Sequence, residues 1–465
     1  MPIFLTTIDH IALAVYMVYF GGILGGIWLL WRSSGKGRMW GVMLLFESLA
    51  AVVLLTLMSS RYWITGGKGI IDIGLRPLFE ALTGIFAPLG IGIAIIATVI
   101  YLVIKLMQGR YKIIGFLLPC LLIPILFILS AWQLIVLTEN NKPKIAELEK
   151  KLKIVPGFTI NAFISEPVLN PTSMVFGPDN NLYVANYNGE IWGISLVDST
   201  SWLYAKGFQV PVGLAWHENS LYIASQGKIS VTRDTDGDKV ADSFSDIIRG
   251  LPARLYPWHA NNGIIFGSDG RIYFAVGSTS DSSPETSKYA ATILSAEADG
   301  SDLRTFATGV RNPYRLALNS KDDLFATDNG PDTFAVTPGD ELNQIVEGGN
   351  YGFPKYFAYP PPGSATLAPI ALFPPHASAD GLAFYQGDQF PPEYYDNAFV
   401  TLWHLGEIDR IQLTKDANGN YASRISVFVT GLHSPLDVAI GPDGSLYVGD
   451  FSTSIIYKIS FVGRP

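Results

Sequence analysis

Charge is scarce in this chain of 465 residues: Asp, Glu, Lys and Arg make up 15% of it, against about 25% in an ordinary soluble domain. That deficit excludes a disordered chain, and no stripe of Lys and Arg offers itself to nucleic acid. Cysteine is almost missing. The single Cys120 rules out a disulfide framework, a CxxC redox pair and a cysteine zinc site, while leaving the compartment open. Histidine is thin as well, and His10 is the one histidine before His217, so the first third cannot hold a bis-histidine haem. No GxSxG, HExxH, GxGxxG or Walker sequence occurs, which removes the commonest hydrolase and nicotinamide readings.

Apolar residues are abundant, at 49%, and they are unevenly placed. Four long runs, residues 11–31, 40–59, 81–107 and 113–138, each approach or exceed the ~20 residues that cross a bilayer as a helix. They predict a four-span α-helical transmembrane domain over 1–138, and the first run is too long for a cleaved signal peptide. Residues 1–138 carry 9 Lys and Arg against 4 Asp and Glu, whereas 139–465 carry 23 against 36. Arg32, Lys36, Arg38, Lys105, Arg110 and Lys112 place the short loops inside the cell. The expected location is therefore the cell membrane, multi-pass, with the C-terminal domain extracytoplasmic and membrane lipid as a partner. The lysines at 142, 144, 150, 151 and 153 pull the other way. Glu47, within the second run, is an ionisable group at membrane depth. Residues 139–156, rich in Lys and Glu with Pro143 and Pro156, read as a linker.

From residue 157 to 465 the pattern changes to short strands separated by turn signals. One unit recurs: a Gly-Pro-Asp turn or a relic of it, then a strand bearing an aromatic residue. It reads GPDNNLYVAN from Gly177, HENSLYIAS from His217, GSDGRIYFAVG from Gly267, NSKDDLFATD from Asn319, YYDNAFVTL from Tyr394 and GPDGSLYVGD from Gly441. The anchors Tyr183, Tyr222, Tyr273, Phe325, Phe399 and Tyr447 are 39, 51, 52, 74 and 48 residues apart. Periods of 40–50 residues with several strands each signal a β-propeller, and six anchors predict six blades. The strand around 158–164 is placed to complete the last blade. The longest interval holds an aromatic, Pro-rich stretch at 353–375, the kind of loop on which sites are built.

Candidate chemistry sits at the blade entries. His259, in WHANNGIIFGSDG, is the natural base near neutral pH, and Asn261, Asn262 and Gly263 beside it suggest a polar turn with a close-approaching backbone. Arg311 and Asn312, in GVRNPYRLALN, can hold a carboxylate. The glycine-rich segment from Asp328 to Pro354 offers oxygen to calcium: carbonyls at Gly330 and Pro331 and a carboxylate at Glu341. In DTDGDKVAD, Asp234, Asp236 and Asp238 alternate like the first half of a calcium loop, with Asp242 further on, and a solvated acidic turn is the bland alternative.

Taken in order, His259 with NNGIIFGSDGRIYFAVG, GVRNPYRLAL, DNGP, GDELNQIVEGGNYGFP and GPDGSLYVGD resemble the glucose/sorbosone dehydrogenase family. These are six-bladed quinoprotein propellers that use pyrroloquinoline quinone (PQQ). The resemblance covers about 157–461 and leaves the four apolar runs aside. It implies that His259 is the catalytic base and that Arg311 and Asn312 contact the cofactor. It further implies that Gly330 and Pro331 give carbonyls to the Ca2+ beside the quinone, and that Glu341 and Tyr351 bind a second, structural ion. His404, in TLWHLGEIDR, stands where the family has a basic residue for the cofactor's carboxylates. The implied activity is a membrane-anchored quinoprotein dehydrogenase. It would oxidise a sugar, polyol or aldehyde and pass electrons to an acceptor such as a quinone or a cytochrome. Two other readings stay open: a non-catalytic tethered propeller that binds carbohydrate or protein, and a calcium-dependent lactonase- or esterase-like hydrolase.

Overall fold

A computed structural model of the chain describes residues 145–252, 261–331 and 338–463. The four apolar runs and Glu47 lie outside the described residues, as does His259. Among the described residues no helix is long and apolar enough to cross a membrane.

A short helix, α1 (Ile145–Glu149), leads into β1 (Lys153–Ile154) and β2 (Phe158–Ile164). Six sheets follow. Blade I is β3 (Pro171–Phe176), β4 (Leu182–Asn186), β5 (Glu190–Ile194) and β6 (Ser201–Lys206). Blade II is β7 (Gly213–His217), β8 (Ser220–Ser225), β9 (Lys228–Arg233) and β10 (Ser243–Arg249). Blade III is β11 (Asn261–Phe266), β12 (Ile272–Val276), β13 (Thr292–Ala296) and β14 (Arg304–Thr308). Blade IV is β15 (Pro313–Leu318), β16 (Leu324–Asp328), β17 (Glu341–Ile345) and the two-residue β18 (Ala371–Leu372). Blade V is β19 (Ala379–Phe384), β20 (Ala398–Leu402), β21 (Glu407–Lys415) and β22 (Tyr421–Thr430), extended by β1. Blade VI is β23 (Pro435–Ile440), β24 (Leu446–Asp450) and β25 (Ile455–Phe461), and its outermost strand is β2, so the segment at 158–164 does complete the last blade. The first strands of consecutive blades pack against one another, and β23 packs against β3, which closes the ring.

All six aromatic anchors fall on the second strand of a blade. The recurring turn is explained by its contacts. Gly177 N–H donates to the carbonyl of Asn181, and Tyr183 Oη donates to Asp179 at 3.0 Å. The same tyrosine-to-aspartate bond joins Tyr273 to Asp269 at 2.8 Å and Tyr447 to Asp443 at 3.2 Å. A Cβ at Gly177 or Gly441 would lie 2.6 Å from the anchor ring, so the turn requires glycine. The phenylalanine anchors lack the hydroxyl and keep only the packing, and both Phe325 and Phe399 are fully buried. Near the axis a second close approach operates: a Cβ at Gly263 would meet the backbone of Arg315 and Leu316 below 3 Å. Residues 261–263 are therefore the start of strand β11 packed on blade IV, where the sequence suggested a turn. The linker is likewise shorter than 139–156, because Lys153 and Ile154 pair with Thr430 and Val429 of β22.

Among the described residues, a buried arginine makes polar contacts across the ring. Arg315, on β15, reaches from blade IV to the opposite blade I: Nη1 donates to Ser173 Oγ at 2.8 Å and Nη2 to the carbonyl of Met174 at 3.0 Å. The same guanidinium lies 3.3 Å from Asp437 of β23, in blade VI. Asp437 also accepts the amide of Met174 at 2.7 Å. Burial raises the Asp437 carboxyl and the Arg315 charge opposes that rise.

Because strands alternate direction within each sheet, the ends that start β3, β7, β11, β15, β19 and β23 share one face with the ends that finish the second strands. We call this the entry face. The Gly-Pro-Asp turns and the β9–β10 hairpin lie on the opposite face.

Replacing Arg315 with Met leaves Asp437 buried without its cation, which costs about 3–5 kcal/mol. Denaturant unfolding is expected to show that loss, and Arg315→Met combined with Asp437→Leu to recover most of it. A second expectation concerns Asp409 on β21. It is 5% exposed with Oδ1 unpartnered, and burial, aided by Glu407, raises its pKa to about 6. An acid held above its unfolded value makes stability fall as pH rises from about 4 through about 6. Asp409→Asn should therefore unfold later than the parent at neutral pH, by about 3 kcal/mol at most, and lose that advantage at about pH 4.

Candidate functional site

The entry face gathers the carbon-bound oxygens that the sequence scattered. Asp328 ends β16 and Glu341 starts β17, and the two are directly paired across the ladder, so their side chains share one face of the sheet. Together with Arg311, Asn329, Gly330 and Tyr351 they line one pocket, walled on its apolar side by Phe353 and Phe357. The sequence-predicted residues Arg311, Gly330, Glu341 and Tyr351 thus converge, although they come from three separate segments.

Each carboxylate is held by named donors. Asp328 accepts the amides of Arg311 and Asn312, at 2.9 and 2.7 Å. Glu341 accepts the amide of Ala358 at 2.6 Å and Asn343 Nδ2 at 2.9 Å. Asp340 accepts the amides of Gly330 and Ala379, and Asp380 accepts Asn329 Nδ2 at 2.9 Å and Ser378 Oγ at 3.0 Å. All four acids are buried. Burial drives each carboxyl above its ordinary range, and the facing charge of Glu341 pushes Asp328 further up. Asn329 Oδ1 and Asn343 Oδ1 are buried acceptors without a partner. Two facing carboxylates with unpartnered amide oxygens beside them form a hard-oxygen donor set, which fits a calcium-like cation. The sequence reading missed Asp328, Asp340, Asp380, Asn329 and Asn343. The signal was present in DNGP and GDELN, where acids and asparagines flank the glycines that drew notice.

Arg311 is 4% exposed, and its guanidinium is committed. Nε donates to the carbonyl of Asp281 at 3.0 Å, Nη2 to Asp281 Oδ1 at 2.5 Å and Nη1 to the carbonyl of Asn329 at 3.2 Å. Asp281 lies in the loop after β12, so the arginine of blade IV already holds a carboxylate from blade III. Asn312 Oδ1 accepts from Asn262 Nδ2 at 2.9 Å, which ties β11 to β15.

Other expected residues stand differently. Tyr351 is buried and its hydroxyl is spent, donating to the carbonyl of Gln344 at 2.5 Å and accepting the amide of Val346 at 3.0 Å. Its main chain is left as its one means of meeting an ion. Pro331 is buried next to Gly330. His404 follows β20 on the entry face, outside the pocket of Arg311, and its Nδ1–H donates to the carbonyl of His376 at 2.8 Å. Asp234 and Asp236 lie on the opposite face and bring Asp242 with them. Asp238 is not part of their cluster, which corrects the alternating set of the sequence.

A family model described as a domain of unknown function, DUF7133, matches residues 196–463, more than half of the chain. The chain belongs to that family. This DUF7133 propeller is 24% identical over 357 residues to the aldose sugar dehydrogenase YliI of Escherichia coli strain K12, a match covering 65% of this chain and 93% of that protein. Among solved structures, the PQQ-bound aldose sugar dehydrogenase of Streptomyces coelicolor superposes with TM-score 0.54 at 19% identity, over 66% of this chain and 99% of that one. The holo form of the pyranose dehydrogenase PQQ domain of Coprinopsis cinerea gives 0.57 at 14%, over 66% and 97%. At these identities the structural likeness is one of fold.

Glu341→Gln separates repulsion from ligation. In chelator the variant is expected to unfold later than the parent, because one of two facing buried acids is gone. In calcium at ~100 times the dissociation constant, the parent should gain about 2.7 kcal/mol and the variant little. Thermal unfolding in both conditions reads the crossing.

Proposed function

We propose that the propeller is the catalytic domain of a calcium-dependent quinoprotein dehydrogenase acting on a sugar, polyol or aldehyde, and that the apolar runs of residues 1–138 anchor it at the cell membrane. The observation that carries the reading is the convergence, in one entry-face pocket, of Arg311 with the paired carboxylates Asp328 and Glu341. The resemblance in sequence, and the relatives named as aldose and pyranose dehydrogenases, support the substrate class. The lodging of Asp281 on Arg311 supports a role for that guanidinium in binding carboxylates, which a PQQ-type cofactor carries.

In this reading Asp328, Glu341 and the Asn329–Gly330 segment hold calcium. Arg311 would take the cofactor's anionic edge in place of Asp281, and Asn312, which Asn262 keeps in place, would lie beside it. When bound, pyrroloquinoline quinone supplies the two-electron acceptor for a hydride. His259, two residues ahead of β11, takes the proton of the substrate hydroxyl on a ring nitrogen, which sets the reacting C–H free to leave with its electron pair. Phe353 and Phe357 exclude water from the apolar wall of the pocket.

The full chain, reconstituted with calcium and pyrroloquinoline quinone, is expected to reduce an artificial dye in the presence of an aldose. His259→Ala should lower the rate about 100-fold or more, and Arg311→Gln should weaken cofactor binding. Dye reduction that needs no quinone, or that His259→Ala leaves unchanged, overturns the reading.

A further inference from the structure

Between β12 and β13 the chain takes fifteen residues, 277–291, where blades I, II, V and VI turn at the same position in two to four. Both ends of this loop are fixed. Ser278 is fully buried, and its amide donates to the carbonyl of Arg311 at 2.7 Å. Ala290 and Ala291 are buried, and the amide of Ala291 donates to the carbonyl of Gly277 at 3.3 Å. Between the ends runs TSDSSPETSK, Thr279 to Lys288, without one Leu, Ile, Val, Met or aromatic residue. No apolar burial therefore holds this tip on the blades, and most of it is exposed. It is closed on itself instead. Glu285 accepts the amides of Thr279 and Ser280 at 2.8 and 3.1 Å, and Ser280 Oγ donates to the carbonyl of Ser283 at 2.7 Å. Such a tip keeps its shape when it moves.

Asp281 joins this tip to blade IV. Its main-chain carbonyl accepts Arg311 Nε at 3.0 Å and its carboxylate accepts Arg311 Nη2 at 2.5 Å. The two partners are unequally held. The Asp281 side chain is 34% exposed and rides on the loop, whereas that of Arg311 is 4% exposed and also bonds the carbonyl of Asn329. Arg311 further lines the pocket of Asp328 and Glu341. The carboxylate can therefore leave, and the guanidinium cannot. A buried guanidinium left without an anion is strongly unfavourable. Asp281 thus departs only in exchange for another anion on the same fork, and a carboxylate is the group that fits it.

We propose that Asp281 is a latch. In the ligand-free protein its carboxylate occupies the anion seat of Arg311, and a carboxylate of the incoming ligand displaces it together with the tip, residues 279–288. One anion replaces another, so no charge is stranded. A ligand that brings a carboxylate opens the loop, and a neutral sugar does not. The inference rests on the reading of Arg311 as the anion seat of the site and not on dehydrogenation.

The probe is pyrroloquinoline quinone, added with calcium to the purified full chain, and its affinity is read by calorimetry. A nitroxide on Ser283→Cys, with Cys120 replaced by Ser, reports the motion of the tip by its spin-resonance line shape. Asp281→Asn keeps the acceptor oxygen and removes the charge. It should bind the quinone about tenfold more tightly than the parent, the worth of one charge-assisted hydrogen bond. Asp281→Ala should do so at least as strongly, and if it does not fold, Asp281→Asn carries the comparison. The nitroxide should be immobile in the parent, mobile once the quinone binds, and mobile in Asp281→Ala without it. Affinity unchanged or weakened in Asp281→Asn overturns the latch, as does quinone binding to the parent that leaves the nitroxide immobile, and both results leave the cofactor reading in place. If neither parent nor variant binds the quinone, Arg311 is not an anion seat and both fall. Binding without dye reduction overturns the dehydrogenase and supports the latch wherever the affinities and line shapes agree with it.

Discussion

The ring depends on a guanidinium at its axis. Six sheets with apolar faces can pack as an open arc or as a closed wheel, and apolar contact between neighbours favours both alike. Arg315 distinguishes them. Its bonds to Ser173 and Met174 join blade IV to the blade facing it, and its ion pair with Asp437 joins the same side chain to blade VI. Only a closed ring of this diameter satisfies all three. A buried charge pair adds little net stability over an apolar one. What it contributes here is a preference for one closure, because any other leaves a charge stranded.

The entry face inverts the usual economy of charge. Buried acids crowd around the ends of β16, β17 and β19, and each is held by backbone amides, side-chain amides or a hydroxyl. Such a group of carboxylates keeps its shape only because the backbone donors come from fixed strand ends, such as the amides of Arg311 and Asn312 on Asp328. The rigid wheel therefore holds these buried carboxyls at a fixed place, and Arg311 beside them is moored to a neighbouring blade.

Much of this was legible in the chain. The Gly-x-Asp turn and its tyrosine are close in sequence, and the geometry that ties Tyr183 to Asp179 or Tyr447 to Asp443 is local, so the blades could be counted. The blade of Phe399 was fainter because its turn lacks both the glycine and the hydroxyl. The pocket was half legible: Arg311, Gly330, Glu341 and Tyr351 stood out, but the tyrosine's hydroxyl proved to serve its own loop. Arg315, Asp380 and Asp437 gave no sign, since they look like ordinary strand residues and find partners as far as 263 positions away. Asp238 misled for a simpler reason. Alternation suits an extended segment, whereas this hairpin folds back so that Thr235 bonds to Asp242, seven residues on.

Strand β2 meets β25 across a separation of 301 residues. At 5–20 residues per second a ribosome takes roughly 15–60 s to make that interval. Throughout that time β2 has emerged, with its apolar side chains, and has no sheet to join. The early blades therefore form with one edge unpaired, and the wheel closes only when its last strand is made.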